Sequence, residues 1–139
     1  MAEKVEFELV SPEELLVSQP VEMVVVPGGE GYYGVLVGHI PMITNVKAGA
    51  ISIYDENRIT DRIFVTGGFA EVTMERVTVL VEHAVKVSSL DRAKVEQDLR
   101  NFAEDLEDAK TDEERVKAEH QLDIARAQLD AIIEASAAH

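Results

Sequence analysis

The sequence predicts an N-terminal antiparallel β-sandwich followed by a C-terminal antiparallel two-helix hairpin. Three observations predict it. As far as Val87 the apolar residues recur with period two, the spacing of side chains on one face of a strand. From Leu90 onward they recur at intervals of three and four, the spacing of a helix face. Glycine and proline punctuate the first part and are absent from the second.

The strand-like runs come in order. Val5, Phe7 and Leu9 alternate with Glu6 and Glu8. Val21, Met23 and Val25 repeat the pattern around Glu22 and Val24, and Ile51 and Ile53 around Ser52. Further β-branched runs are Ile63-Phe64-Val65, Glu71-Val72-Thr73-Met74 and Val77-Thr78-Val79-Leu80-Val81. Turn-forming residues separate them: Ser11-Pro12, Asp55-Glu56-Asn57, Gly67-Gly68 and Glu75-Arg76. Many short strands at such spacing predict a sandwich or barrel. Between the second and third runs lies Pro27 to Pro41, with five glycines, two prolines and the pair Tyr32-Tyr33. Glycine permits positive φ and close backbone approach, and proline fixes φ. The segment therefore reads as a shaped loop.

In the second part, Val95, Leu99, Phe102, Leu106 and Ala109 form one apolar stripe, and Ala118, Leu122, Ala125, Leu129 and Ile132 another. Ser88 is the expected N-cap of the first helix, with Asp91 three residues on. Thr111 with Glu114 forms a capping box for the second. The domains expected are thus 1–87 and 88–139. Both stripes are narrow and alanine-rich, so the helices bury little area at roughly 25 cal/mol per Å². The hairpin is either a moving part or a unit docked permanently on the sheet.

Composition excludes several function classes. The 139 residues include 27 acidic against 13 basic ones, a formal net charge of −14. Such a chain is repelled by phosphate backbones and anionic lipid, and a basic protein surface suits it better. No run approaches the ~20 apolar residues that span a bilayer, so a soluble chain without membrane insertion is expected. Met1 to Val5 lacks the layout of a signal peptide. There is no cysteine, which excludes disulfides and thiolate chemistry.

Catalytic constellations are equally sparse. His39, His83, His120 and His139 show no metal-ligand spacing. His39 is the one histidine in the glycine-rich segment, where it is either a ligand or base, or a residue hydrogen-bonded within a tight loop. Gly28-Gly29-Glu30-Gly31 lacks the Gly-Lys-Ser/Thr ending of a phosphate loop, and Glu30 would repel phosphate. No serine sits in a nucleophile elbow with a histidine partner. The expectation is a non-catalytic interaction protein without metal or cofactor.

Five segments taken together are more specific. They are Phe7-Glu8-Leu9-Val10-Ser11-Pro12-Glu13, Val21-Glu22-Met23-Val24-Val25-Val26-Pro27-Gly28, Glu30-Gly31-Tyr32-Tyr33-Gly34-Val35-Leu36-Val37-Gly38-His39-Ile40-Pro41, Thr66-Gly67-Gly68-Phe69-Ala70-Glu71-Val72 and the helix opening Leu90-Asp91. In this order they resemble the epsilon subunit of bacterial F-type ATP synthase, the counterpart of the mitochondrial delta subunit, over essentially all 139 residues. The resemblance implies a non-catalytic rotor subunit on the cytoplasmic face of the inner membrane, peripheral to it. Its implied partners are the gamma subunit, the c-ring and, through the hairpin, the alpha/beta catalytic head. Its implied role is to couple proton translocation to ATP synthesis and to restrain hydrolysis. Contacts with gamma or the ring are expected at Ser11, Glu30, Tyr32, Tyr33, His39, Pro41, Thr44 and Glu71. Of the two tyrosines, either at least one anchors an interface or one turns into the core.

Some members of the family bind ATP through an Ile/Leu-Asp-x-x-Arg-Ala motif and arginines on the second helix. Here the segment reads Leu90-Asp91-Arg92-Ala93-Lys94-Val95, so Lys94 stands where the motif has arginine. Arg126 matches one second-helix arginine, while Asp130 occupies the place of another. Lysine lacks arginine's planar fork, and an aspartate repels phosphate. Asp91, Lys94 and Arg126 are thus a depleted nucleotide site, and ATP binding is expected to be weak or absent. From Asp112 onward seven acids face three bases (Arg115, Lys117 and Arg126). Inhibitory members use basic side chains against an acidic loop of the catalytic subunit, so inhibition by this hairpin is expected to be weak. The alternative reading is a nucleotide sensor holding ATP between hairpin and sandwich. A metalloprotein around His39 is the third.

Overall fold

The computed structural model describes residues 3–137. Its elements are ten strands, β1 (Val5–Val10), β2 (Leu15–Val21), β3 (Met23–Gly28), β4 (Gly31–Val35), β5 (Met42–Val46), β6 (Gly49–Asp55), β7 (Arg58–Val65), β8 (Gly68–Val72), β9 (Arg76–Val81) and β10 (Ala84–Lys86), then a 3₁₀ turn (Val87–Ser89) and two helices, α1 (Arg92–Asp108) and α2 (Asp112–Ala137). The molecule divides into two compact units, Met1–Lys86 and Val87–His139.

The strands form one hydrogen-bonded sheet in the order β10-β7-β6-β3-β5-β8-β9-β1-β2, with β4 off this path, paired with Val24 to Gly28 of β3. It makes two layers because β3 changes partner. Its first half pairs with β6. Its last residue, Gly28, pairs with Val46 of β5 in the only register pair between those strands. Gly29 N–H donates to Asn45 O at 3.0 Å and Lys47 N–H to Pro27 O at 2.9 Å, which secures the corner. A Cβ on Gly28 would lie 2.8 Å from both Gly31 O and the Tyr33 ring, so only glycine lets the strands close here.

Between the layers lies one core. Val5, Phe7, Leu9, Val77 and Val79 from the second layer meet Val24, Val26, Ile51, Ile53 and Val65 from the first, all essentially inaccessible to solvent. Each such side chain contributes about 1.5–3 kcal/mol on burial. The alternation expected for β1 and β9 is therefore observed. That expected for β3 is not. The sequence groups Val21, Met23 and Val25, whereas the structure buries Val21, Val24 and Val26. The reason is a bend at Glu22, whose N–H donates to Tyr54 O at 3.1 Å and to Asp55 Oδ1 at 3.1 Å. One residue spent on that bend reverses the phase of the next strand.

Four strands are not separable in the sequence. Apart from Val21, the residues of β2, β4, β5 and β10 lie outside the strand-like runs of the sequence. β2 contains Pro20, which lacks an N–H and is tolerated because β2 is an edge strand. The segment from Pro27 to Pro41 is not one loop: Val24 to Gly28 and Gly31 to Val35 form a hairpin across Gly29-Glu30, and irregular backbone begins only at Leu36. The turn placed at Glu75-Arg76 lies at Thr73-Met74-Glu75, where Thr73 N–H bonds Arg76 O at 2.8 Å. All strand pairs are antiparallel except β1 with β9, which is parallel.

In the second unit, α1 packs against α2. Asp105 and Asp108 of α1 share a cleft with Glu114 and Lys117 of α2, so the helices run antiparallel. Asp91, not Ser88, caps α1: its Oδ1 accepts from Ala93 N–H at 3.0 Å and Lys94 N–H at 3.4 Å. Ser88 belongs to the 3₁₀ turn instead. Thr111 caps α2 as expected, accepting from Glu114 N–H at 3.1 Å, while Glu114 accepts from Lys110 N–H at 3.1 Å. Val95, Ala118, Leu122 and Ala125 from the predicted stripes are buried, and Leu99, Phe102, Leu106, Leu129 and Ile132 partly so.

A test of the fold lies at Gly68. Its φ is +157°, and a Cβ there would overlap Leu80 O, whereas one on Gly29 would meet only Asn45 Cβ at 3.7 Å and Asn45 O at 4.0 Å. Gly68→Ala is expected to destabilise the protein by more than about 2 kcal/mol in urea denaturation, and Gly29→Ala by less than about 1 kcal/mol.

Candidate functional site

The second layer, β5-β8-β9-β1-β2, buries one face in the core and turns the other outward. On β9 the valines Val77, Val79 and Val81 point in, so Thr78 and Leu80 point out. The register aligns Leu80 with Phe69 on one side and Val10 on the other, and Val10 with Leu15. These four side chains form a row across four strands, about 15 Å long at ~4.8 Å per strand. Phe69 is 58 % exposed, Leu80 49 % and Leu15 54 %. A contiguous apolar row on an outer face is a feature of interaction sites. The residues beside it are polar. Glu71 faces Thr78, and Thr78 faces Glu8. Glu8 Oε1 accepts from Arg76 Nη1 at 2.7 Å and lies 3.4 Å from Thr78 Oγ1. That hydrogen bond to Glu8 raises the Arg76 pKa above its ordinary value. Ile43, 74 % exposed, faces Glu71 from β5.

Two ends of the sandwich flank this face. At one, the row opens into a cleft of about 430 Å³ lined by Ser11, Pro12, Gly68, Phe69, Leu80 and Glu82. Next to it a cleft of about 500 Å³ is lined by Glu30, Tyr32, Tyr33 and Thr44. Tyr33 packs against the core and its hydroxyl is 2.6 Å from Thr44 Oγ1. Tyr32 is more than half exposed, with Lys47 Nζ 5.8 Å from its ring centre. So one tyrosine turns inward and the other outward. At the opposite end, Leu36 to Pro41 lies against the β8–β9 turn, where Gly38 N–H donates to Met74 O at 2.6 Å. Leu36, Ile40 and Met74 are exposed there. His39 Nδ1 is 2.8 Å from Ile40 O, the geometry of a residue bonded within its own loop.

The expected interface residues thus divide into groups. Glu30, Tyr32, Tyr33 and Thr44 gather around one cleft, and Ser11 lies in its neighbour. Glu71 is on the outer face. His39 and Pro41 are at the far end, separated from Glu30 by the length of β4. The sequence reading missed Phe69, Leu80, Val10 and Leu15. Phe69 and Leu80 were detectable, since each is a large apolar residue at an outward position of an alternating strand.

In the helical unit, Asp91, Lys94 and Arg126 are each engaged locally. Asp91 is the α1 cap, Lys94 Nζ is 3.2 Å from Asp98 and Arg126 Nη1 is 3.8 Å from Asp123. Among the described residues there is no group of three or more histidine and acidic side chains placed to hold a metal. His83 and His120 are exposed, and His139 lies outside the described residues. No described helix is long and apolar enough to cross a membrane.

Known proteins sharpen this picture. The family model of the ATP synthase delta/epsilon β-sandwich domain matches residues 4–87, and that of the C-terminal domain of the ATP synthase epsilon subunit matches residues 91–139. The sequence is 54 % identical over 137 residues to an ATP synthase epsilon chain of Rhodospirillum centenum, covering 95 % of this protein and 94 % of that one. It is 48 % identical over 132 residues to that of Paramagnetospirillum magneticum, covering 95 % and 99 %. Its fold is similar to a subunit in the Euglena gracilis mitochondrial ATP synthase, with a TM-score of 0.85, 22 % identity and coverage of 95 % of this protein and 83 % of that one. A sandwich and a two-helix unit in this order, each matched by the corresponding part of one subunit, show that the protein belongs to the ATP synthase epsilon family.

Proposed function

We propose that the protein is a non-catalytic central-stalk subunit of F-type ATP synthase that couples proton translocation through the c-ring to ATP synthesis. It acts on the cytoplasmic face of the bacterial inner membrane, peripheral to it. The observation that carries this reading is the outward apolar row Phe69, Leu80, Val10 and Leu15 in a member of this family. A free subunit keeps such a row wet, and a permanent partner covers it. That partner is the gamma subunit. The ends of the sandwich offer the remaining contacts, with Glu30 and Tyr32 toward the polar loops of the c-ring and His39 and Pro41 toward the foot of gamma. A similar fold occurs in a Tetrahymena thermophila mitochondrial ATP synthase structure described as central stalk and c-ring, with a TM-score of 0.66 and 15 % identity. Its setting agrees with this reading.

The helical unit has a weaker role. In our reading its acid-rich second helix does not latch onto an acidic loop of the catalytic head, because like charges at an interface oppose binding. ATP has no strong site on it. Lys94 and Arg126 lie beside carboxylates of their own helices, within 3.2 Å and 3.8 Å. A millimolar ligand would gain only roughly 4 kcal/mol. Nucleotide sensing is for this reason the lesser alternative.

Three measurements test the proposal. Rebinding of the full-length protein to an epsilon-depleted synthase is expected to weaken about 30-fold for Phe69→Ala, the loss of an interface anchor worth about 2 kcal/mol. Unchanged rebinding would remove the outer face from the interface. Truncation after Val87 is expected to leave ATP hydrolysis by the assembled enzyme nearly unchanged, and a several-fold rise would show that the hairpin inhibits. Calorimetric titration with ATP, with and without magnesium, is expected to show no micromolar binding.

A further inference from the structure

The cleft at the end of the apolar row carries a charge that the row itself does not explain. We infer that this cleft, between Phe69, Leu80, Pro12 and Glu82, receives a single arginine side chain of the partner subunit. The inference rests on the reading that the outer face is an intersubunit surface, and it specifies the chemistry of the anchor.

Three observations carry it. The walls are apolar, with Phe69 and Leu80 about half exposed in a cleft of about 430 Å³. They suit a long aliphatic stem, as arginine and lysine side chains lay their methylenes on apolar surface and keep the charge at the rim. Among the described residues the rim holds one charged residue, Glu82, and no basic residue lines the cleft. Arg76, at the other end of β9, is already paired with Glu8 at 2.7 Å. Finally, the Phe69 ring stands at the surface rather than in the core. A guanidinium stacks on such a face and simultaneously forms two parallel hydrogen bonds to a carboxylate, which an ammonium does not. A second copy of this protein is a poor occupant, since each copy carries a net charge of −14.

The same rebinding experiment, run at low and high salt, separates this inference from the reading beneath it. Three variants are used: Glu82→Gln, Phe69→Leu and Phe69→Ala. Glu82→Gln is expected to weaken rebinding roughly tenfold at low salt and to flatten its salt dependence, as loss of a charge pair does. Phe69→Leu, which keeps apolar volume and removes the ring, is expected to weaken it several-fold. If Glu82→Gln rebinds like the parent at both salts while Phe69→Ala is weakened, the anchor is apolar: the inference is overturned and the coupling reading stands. If Phe69→Ala also rebinds like the parent, the outer face is not an interface and both fall. A direct arm uses N-acetyl-arginine amide as probe on the full-length protein. Its titration is expected to shift the backbone amide resonances of Gly68 and Phe69 more than the norleucine analogue does, and equal shifts would overturn the preference for a guanidinium.

Discussion

At one corner, where Gly28 of β3 meets Val46 of β5, a single sheet becomes two layers. β3 cannot serve both β6 and β5 along its whole length. It pairs with β6 over Met23 to Val25 and transfers to β5 at Gly28. The flanking hydrogen bonds at Gly29 and Lys47, and the Tyr33 hydroxyl on Thr44, hold the transfer from three sides. The core lies inside that fold. So does the placement of every outward side chain on β8, β9, β1 and β2, because their register is carried strand by strand from β5.

That dependence explains how a continuous outer surface can be built on short strands. Phe69, Leu80, Val10 and Leu15 come from four strands and from positions up to seventy residues apart. They align because the parallel pairing of β1 with β9 brings the N-terminal strand into the row, and a register shift between Leu9 and Val10 brings Leu15 of β2 opposite Val10. A surface so assembled cannot shift one residue without losing a ladder of hydrogen bonds and reversing which side chains face the core. Stiffness and specificity thus have a common origin.

The helical unit is constructed differently. Its stability resides in local caps at Asp91 and Thr111, in local ion pairs such as Lys94–Asp98, each worth about 0.2–0.5 kcal/mol, and in an alanine-rich seam. Surface pairs and small side chains hold helices together weakly. An element of this kind adapts to its surroundings more readily than the sandwich does.

Much of this was legible in the sequence. The change of period near Val87, the strands bounded by turn residues, the helix stripes and the cap at Thr111 all follow from local physics that neighbouring residues decide among themselves. Thr111 illustrates this, since its hydroxyl and Glu114 meet whatever the rest of the protein does. The bend at Glu22 was less legible because distant partners choose between two local solutions, and the β4 hairpin and the cap at Asp91 because two local solutions compete within a few residues. Glu22 bends because Tyr54 and Asp55, more than thirty residues away, accept its N–H. The acidity was a property of the sequence by itself, as was the family. Which tyrosine faces inward, which strands are neighbours and which apolar residues form the outward row were decided only by the tertiary structure. Alternation specifies that a side chain has two sides to choose between, and only pairing across the sheet determines what lies on each.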